Sequence, residues 1–147
     1  MWGKNRRILA VIGLAGLLLA ACSGTPPESA PKEAAVVVEK NEATGISRLA
    51  LSAKAAERLG IATAPVAGAP AGRGTAVPYS AIVYDKDGAT WAYTNPEGLV
   101  FLRAAITVER IAEDLAILSS GPPVGTSVVT VGTAELWGVE TGVGGGH

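Results

Sequence analysis

The sequence predicts a mainly β fold, a small antiparallel β-barrel or open sandwich with one short helix, placed after a signal peptide and a flexible linker. Three observations carry that expectation. From Ile46 to Glu140 apolar and polar residues alternate over runs of five or six, the period-2 pattern of half-buried strands. Short turn signals, "DKDG", "PEG", "AED" and "GPPVG", separate the later runs, and joins that tight connect antiparallel neighbours. The segment 46–140 spans 95 residues, enough to bury one core and no more.

The elements follow in order. "ISRLALS", 46–52, alternates and reads as a short strand. Ser52 is placed to cap a helix over Ala53–Leu59, and Gly60 supplies the left-handed residue that ends it. A strand follows over Ile61–Val66, and then "AGAPAGRGTA", 67–76, interrupts regular structure with glycine and proline. "VPYSAIVYD", 77–85, reads as one strand with Pro78 near its start, where a missing amide does least harm. "ATWAYTN", 89–95, returns after the "DKDG" turn, and "LVFLRAAITVERI", 99–111, makes a long or bent strand. "LAILSS", 115–120, and "TSVVTV", 126–131, complete the meander.

The amino-terminal part has a different composition. Lys4, Arg6 and Arg7 head an apolar run from Ile8 to Ala21, the layout of a secretory signal over 1–21. The run is shorter than the roughly 20 residues a membrane-spanning helix needs. Leu19, Ala20, Ala21 and Cys22 resemble the lipobox of bacterial lipoproteins, a resemblance that implies acylation of Cys22 as the first residue of the mature chain. Each acyl chain of about 15 methylenes adds on the order of 12 kcal/mol of membrane affinity, and two chains anchor stably. The lipid bilayer is thus the first expected partner, on the extracytoplasmic side of a cell envelope. Residues 22–45 read as the lipidated cysteine and a Pro-, Ser-, Ala- and Glu-rich tether, within which Ala34–Val38 could form a short strand. As a coil the tether's ends lie roughly 25 Å apart, and stretched it reaches about 75 Å.

Composition narrows the chemistry. The segment 22–147 carries 9 basic and 13 acidic side chains and therefore no basic stripe for nucleic acid. The single Met and the single Cys both fall in the signal and its cleavage point, so no cofactor or metal is expected. Asp85 and Asp87 resemble the start of a calcium loop, but Ala89 and Pro96 stand where further oxygen ligands are required. They read as a hairpin turn. Nucleophilic catalysis needs a base beside the nucleophile, and the one histidine, His147, ends the glycine-rich tail 141–147. A non-catalytic protein is expected.

Trp91 and Tyr93 alternate onto one face of their strand, with Tyr84 and Phe101 on neighbouring strands, as cross-strand packing pairs would be. A ligand or partner surface is the other reading of Trp91 and Tyr93. Trp137, in "ELWGVE", either staples the carboxy end onto the sheet or is exposed for a partner.

Two segments carry a further resemblance. "LSAKAAERLGIATAPV", 51–66, is similar to the opening of periplasmic adaptor subunits (membrane fusion proteins) of RND-type efflux pumps, and 77–140, with "VPYSAI", "DKDG", "FLR" and "SSGPPVGTSVVTVGTAEL", resembles their carboxy-terminal part. The lipoyl-like domain, helical hairpin and middle barrel that separate these parts in full adaptors are replaced here by "AGAPAGRGTA". The resemblance implies a membrane-proximal β domain over 46–140, whose two chain ends pair in one sheet. It also implies an accessory role beside an RND-type transporter or a full-length adaptor. The alternatives from the residues are a ligand- or metal-binding envelope lipoprotein and a structural one.

Overall fold

A computed structural model describes residues 35–143 except residue 71; the expectations for the signal peptide, for Cys22 and for His147 fall outside the described residues. In chain order the elements are β1 (Val36–Lys40), β2 (Ser47–Leu51), α1 (Ala53–Leu59), β3 (Ala62–Pro65), β4 (Ala67–Gly68), β5 (Thr75–Pro78), a single 3-10 turn at Tyr79–Ala81, β6 (Ile82–Tyr84), β7 (Thr90–Glu97), β8 (Val100–Ala112), β9 (Leu115–Ser120), β10 (Ser127–Val131) and α2 (Thr133–Thr141). Strands take 51% of the described residues. The fold is mainly β and barrel-like.

The way the sheet closes follows from one segment. Hydrogen-bonded neighbours run β3, β10, β7, β8, β9, β5, β4, all antiparallel. The two ends of that path, β3 and β4, are separated in sequence by Val66 alone. One stretch, 62–68, therefore pairs with β10 through its first half and with β5 through its second, and the path returns to itself. Val66 sits at the change-over: its N–H donates to the Thr126 carbonyl at 2.8 Å, and its carbonyl accepts from Gly125 N–H at 2.9 Å.

β8 makes the barrel possible. Its early residues pair with both β7 and β2, whereas its residues from Thr107 onward pair with β9. Register shifts at Thr107/Val108 and Val108/Arg110 mark the change; such bulges bend a strand and increase its twist.

Alternation sorts the side chains into two cores. Inward residues, Val66, Val77, Ala92, Ile106, Ala116, Leu118 and Val128 among them, fill the barrel. Their neighbours one residue away, Tyr93 and Val129, point outward with Leu49, Leu51 and Phe101, and are covered by Ala55 of α1 and Leu136 of α2. α1 is built as its signals predict: Ser52 Oγ accepts from Ala55 N–H at 3.2 Å, and Gly60 takes φ 61°. Gly132 precedes α2 at φ 89°, and a Cβ there would come within 2.3 Å of Ile61, so both the conformation and the space require glycine.

Five expectations are corrected. The meander does not run on through the last two strands: β9 and β10 flank "GPPVG" but do not pair, β9 lying between β8 and β5 and β10 between β3 and β7. The segment 67–76 is not wholly irregular, because β4 and the start of β5 lie within it. The single strand expected over 77–85 is broken by the turn at Tyr79–Ala81, which passes the chain from β9, where Pro78 pairs with Leu115, to β7, where Ile82 pairs with Ala92. The last part of the 22–45 tether enters the sheet: the short strand expected at Ala34–Val38 is observed as β1, at Val36–Lys40, paired with β2. A second helix, α2, stands where only a chain end with Trp137 was expected. Gly132 makes no side-chain cap, so the usual helix-start signal is missing.

Candidate functional site

The polar centre of the molecule lies where α2 meets the barrel's outer face. Tyr93 on β7 and Arg103 on β8 are directly opposed in the ladder, so their side chains leave the sheet on the same face. α2 brings Glu140 above them. Arg103 Nε donates to Glu140 Oε1 at 2.9 Å, and Tyr93 Oη donates to Glu140 Oε2 at 2.6 Å. The Ser47 backbone N–H donates to Oε1 at 3.2 Å. The Glu140 side chain is 4% exposed and that of Arg103 is 16% exposed.

Aromatic rings complete the enclosure. The Arg103 guanidinium carbon lies 4.2 Å from the Trp91 ring centroid and 5.4 Å from that of Trp137, within the range of cation–π attraction. Arg103 Nη2 also donates to the Gly45 carbonyl at 3.1 Å. Trp91 Nε1–H in turn donates to Asp85 Oδ2 at 3.0 Å, and Asp85 Oδ1 accepts the amides of Asp87 and Ala89, each at 2.9 Å. The "DKDG" hairpin is thus a self-bonded turn that also holds the indole in place.

Titration follows the same geometry. Burial first, and the Glu140 carboxylate second, push the Tyr93 hydroxyl well above its ordinary value, so it stays a donor at neutral and mildly alkaline pH. The Trp91 hydrogen bond, followed by the two backbone amides, holds Asp85 below the usual carboxylate range.

Chemically the cluster is a clamp. Two carboxylate oxygens receive three donors, and the arginine is held between two rings. The cluster's effect is to fasten α2 onto the barrel: a buried carboxylate is tolerated where charge and hydrogen bonds compensate it.

The aromatic residues divide accordingly. Trp91 and Tyr93 do share a face, and Phe101 is buried with them. Tyr93 is 0% exposed, which removes it from any partner surface. Trp91 and Trp137 are half-buried and pack against the helix-covered core, with Trp137 in the stapling position. Tyr84 is exposed instead of packed: it ends β6 with the parity of Ile82, on the sheet face opposite Trp91 and Tyr93. Arg103 and Glu140 were not singled out from sequence. The available signal for Arg103 was its parity with Phe101 on one strand; for Glu140 there was none, because α2 itself was not legible.

Two surface depressions flank the clamp. One, of about 780 Å³, lies against the β1–β2 hairpin and is lined by Glu39, Lys40, Glu42, Arg48 and Arg103 among others. The other, of about 570 Å³, is apolar and is lined by Val36, Val38, Ala55, Arg58, Leu59 and Val139. Among the described residues no three His, Cys, Asp or Glu side chains come together as a metal site. No described helix is long and apolar enough to cross a membrane. No known protein family matches the chain, and neither does any curated protein or solved structure.

Proposed function

We infer that this protein is a membrane-anchored, non-catalytic lipoprotein module, accessory to an RND-type efflux system or another envelope transport complex. The observation that carries the reading is the sequence Leu19-Ala20-Ala21-Cys22 directly after a basic head and an apolar run. A diacylated Cys22 would hold the domain at a membrane surface through the residues that precede β1. Two structural features support the accessory role. β3 and β10, which belong to the two segments that resemble adaptor subunits, pair in one sheet, as a membrane-proximal domain requires. The polar centre, in which Arg103 and Tyr93 are both spent on Glu140, fastens α2 to the sheet and so supports a rigid docking body.

The experiment has two stages. Intact-mass analysis and membrane fractionation of the chain expressed in a bacterial host should give a diacylated or triacylated amino-terminal cysteine in the membrane fraction, and Cys22→Ala should abolish both. Cross-linking in membranes that contain an RND-type pump and its adaptor should then give a defined adduct with one of the two. An unmodified, soluble wild-type chain would overturn the anchoring. A lipidated chain with no adduct would overturn the transport role while leaving the anchoring intact.

A further inference from the structure

Among the described residues β1 is an edge strand with one partner. It pairs with β2 and with no other described strand. Ser52 N–H donates to the Ala35 carbonyl at 3.0 Å, and Asn41 N–H donates to the Ile46 carbonyl at 3.1 Å. Those bonds set the phase of the ladder. In an antiparallel pair, alternate residues direct both backbone groups at the partner, so Val37 and Glu39 face β2, while the N–H and C=O of Val36, Val38 and Lys40 point away from it. Among the described residues none of these six groups has a hydrogen-bond partner.

Two of these residues also define an apolar approach. Val36 and Val38 line the groove completed by Ala55, Leu59 and Val139, and Val38 is 43% exposed. A second apolar depression, lined by Ala134, Gly138 and Val143, continues from it across Leu59 and Val139. An unpaired edge beside an apolar face is a template for strand addition.

We propose that β1 pairs with β1 of a second copy of this chain, antiparallel and centred on Val38, to form a two-fold symmetric dimer. The strand is self-complementary in that register. Val38 opposes Val38, and Val36 opposes Lys40 on each side, so all outward groups of both copies pair and six backbone hydrogen bonds form. No like charges fall directly opposite one another, and Glu39, which faces β2, is already paired with Arg48 at 3.2 Å. The groove beside each strand would receive the partner's Val36 and Val38. The chain's own preceding segment is a poor competitor for the edge: Pro26, Pro27 and Pro31 carry no amide donor. The interface does not depend on lipid at Cys22.

The test is sedimentation of the full chain in detergent across a concentration series, for the wild type and for Val38→Pro. Among the described residues Val38 N–H bonds nothing, so proline there should leave the fold intact, which circular dichroism and the thermal midpoint verify. Self-association should weaken by about tenfold or more, since each copy loses a donor at the centre of the pairing. In a Cys22→Ser background, Val38→Cys should form an intermolecular disulfide under mild oxidation. Directly opposed hydrogen-bonded residues lie about 5.5 Å apart, inside the range a disulfide spans. Val37→Cys should react far more slowly. A chain that stays monomeric at all concentrations, a dimer indifferent to Val38→Pro, or equal cross-linking at 37 and 38 would each overturn the proposal. So would slow exchange of the Val38 amide in a monomer, which would place another segment of the same chain on the edge.

Discussion

The inside of the barrel and its helix-covered outer face are two cores of one sheet, built from opposite materials. Inside, Ala81, Ala92 and Ala116 occur with Val66, Val77 and Val128, and among the buried members only Ile106 and Leu118 are larger. Outside, Phe101, Tyr93, Leu49 and Leu136 pack with two tryptophans around an enclosed ion pair. The difference is geometric. A barrel of eight strands is just wide enough to be filled by side chains, and a narrower one leaves less room, so the interior takes small residues. The outer face meets two helices, which can stand off by the height of an aromatic ring. The same alternation along β7 therefore places Ala92 on one side and Tyr93 on the other.

That contrast can be broken in opposite directions. Phe101→Ala removes a large side chain from the helix-covered core and should cost about 3–5 kcal/mol, read as a shift of the urea midpoint; Phe101→Leu should recover most of it. A result under about 1 kcal/mol would mean that the helices collapse onto the gap. Glu140→Ala should cost about 3 kcal/mol, because it strands Arg103 between the rings and leaves Tyr93 without an acceptor. The paired change Arg103→Met with Glu140→Leu should be much milder than either single change, and a double mutant as damaged as the worse single would show that the clamp is more than a compensated burial.

Inside the barrel the sign reverses. Ala92→Leu overfills and should cost about 1–3 kcal/mol, whereas Ala92→Gly should act mainly through backbone freedom and strand propensity, by roughly 1 kcal/mol. If Ala92→Leu were neutral in thermal unfolding, the interior would hold space that the close packing of Val66, Val77 and Val128 does not suggest. Smallest is the cap: Ser52→Ala should lower stability by about 1 kcal/mol through the loss of the Ala55 hydrogen bond, measured by chemical denaturation.

Alkaline titration sharpens the comparison through Tyr93. Its folded-state pKa lies above the ordinary value of 10.0, so its contribution is complete below about pH 10 and is lost as pH rises through and beyond that point. The wild type should therefore lose stability more steeply than Tyr93→Phe above pH 10, with the two curves parallel at pH 7–9. Parallel curves throughout would mean that the buried phenol ionises as freely in the folded state as in the unfolded chain.

The legibility of these regions in the sequence follows from how local their causes are. α1 was readable because Ser52 and Gly60 act within one turn of it. The hairpin at Asp85–Gly88 was readable because its bonds close within four residues. The pairing of Trp91 with Tyr93 needed only the two-residue period of a strand. α2 was not readable, since its start is an uncapped glycine and apolar residues occur all round it. Glu140 was hidden with it: a glutamate near a chain end looks solvated until a helix carries it 37 positions back in sequence onto Arg103.

Local chemistry thus determined the β character of the chain, its turns, its first helix and which residues share a face, because each depends on neighbours a few positions away. Tertiary structure alone decided that 62–68 closes the barrel by serving two strands at once, that β8 bends to join both halves, and that an arginine, a tyrosine and a glutamate from distant segments meet between two tryptophans. Those outcomes depend on pairings many residues apart, and their free energy comes from burial and charge compensation that exist only once the sheet has closed.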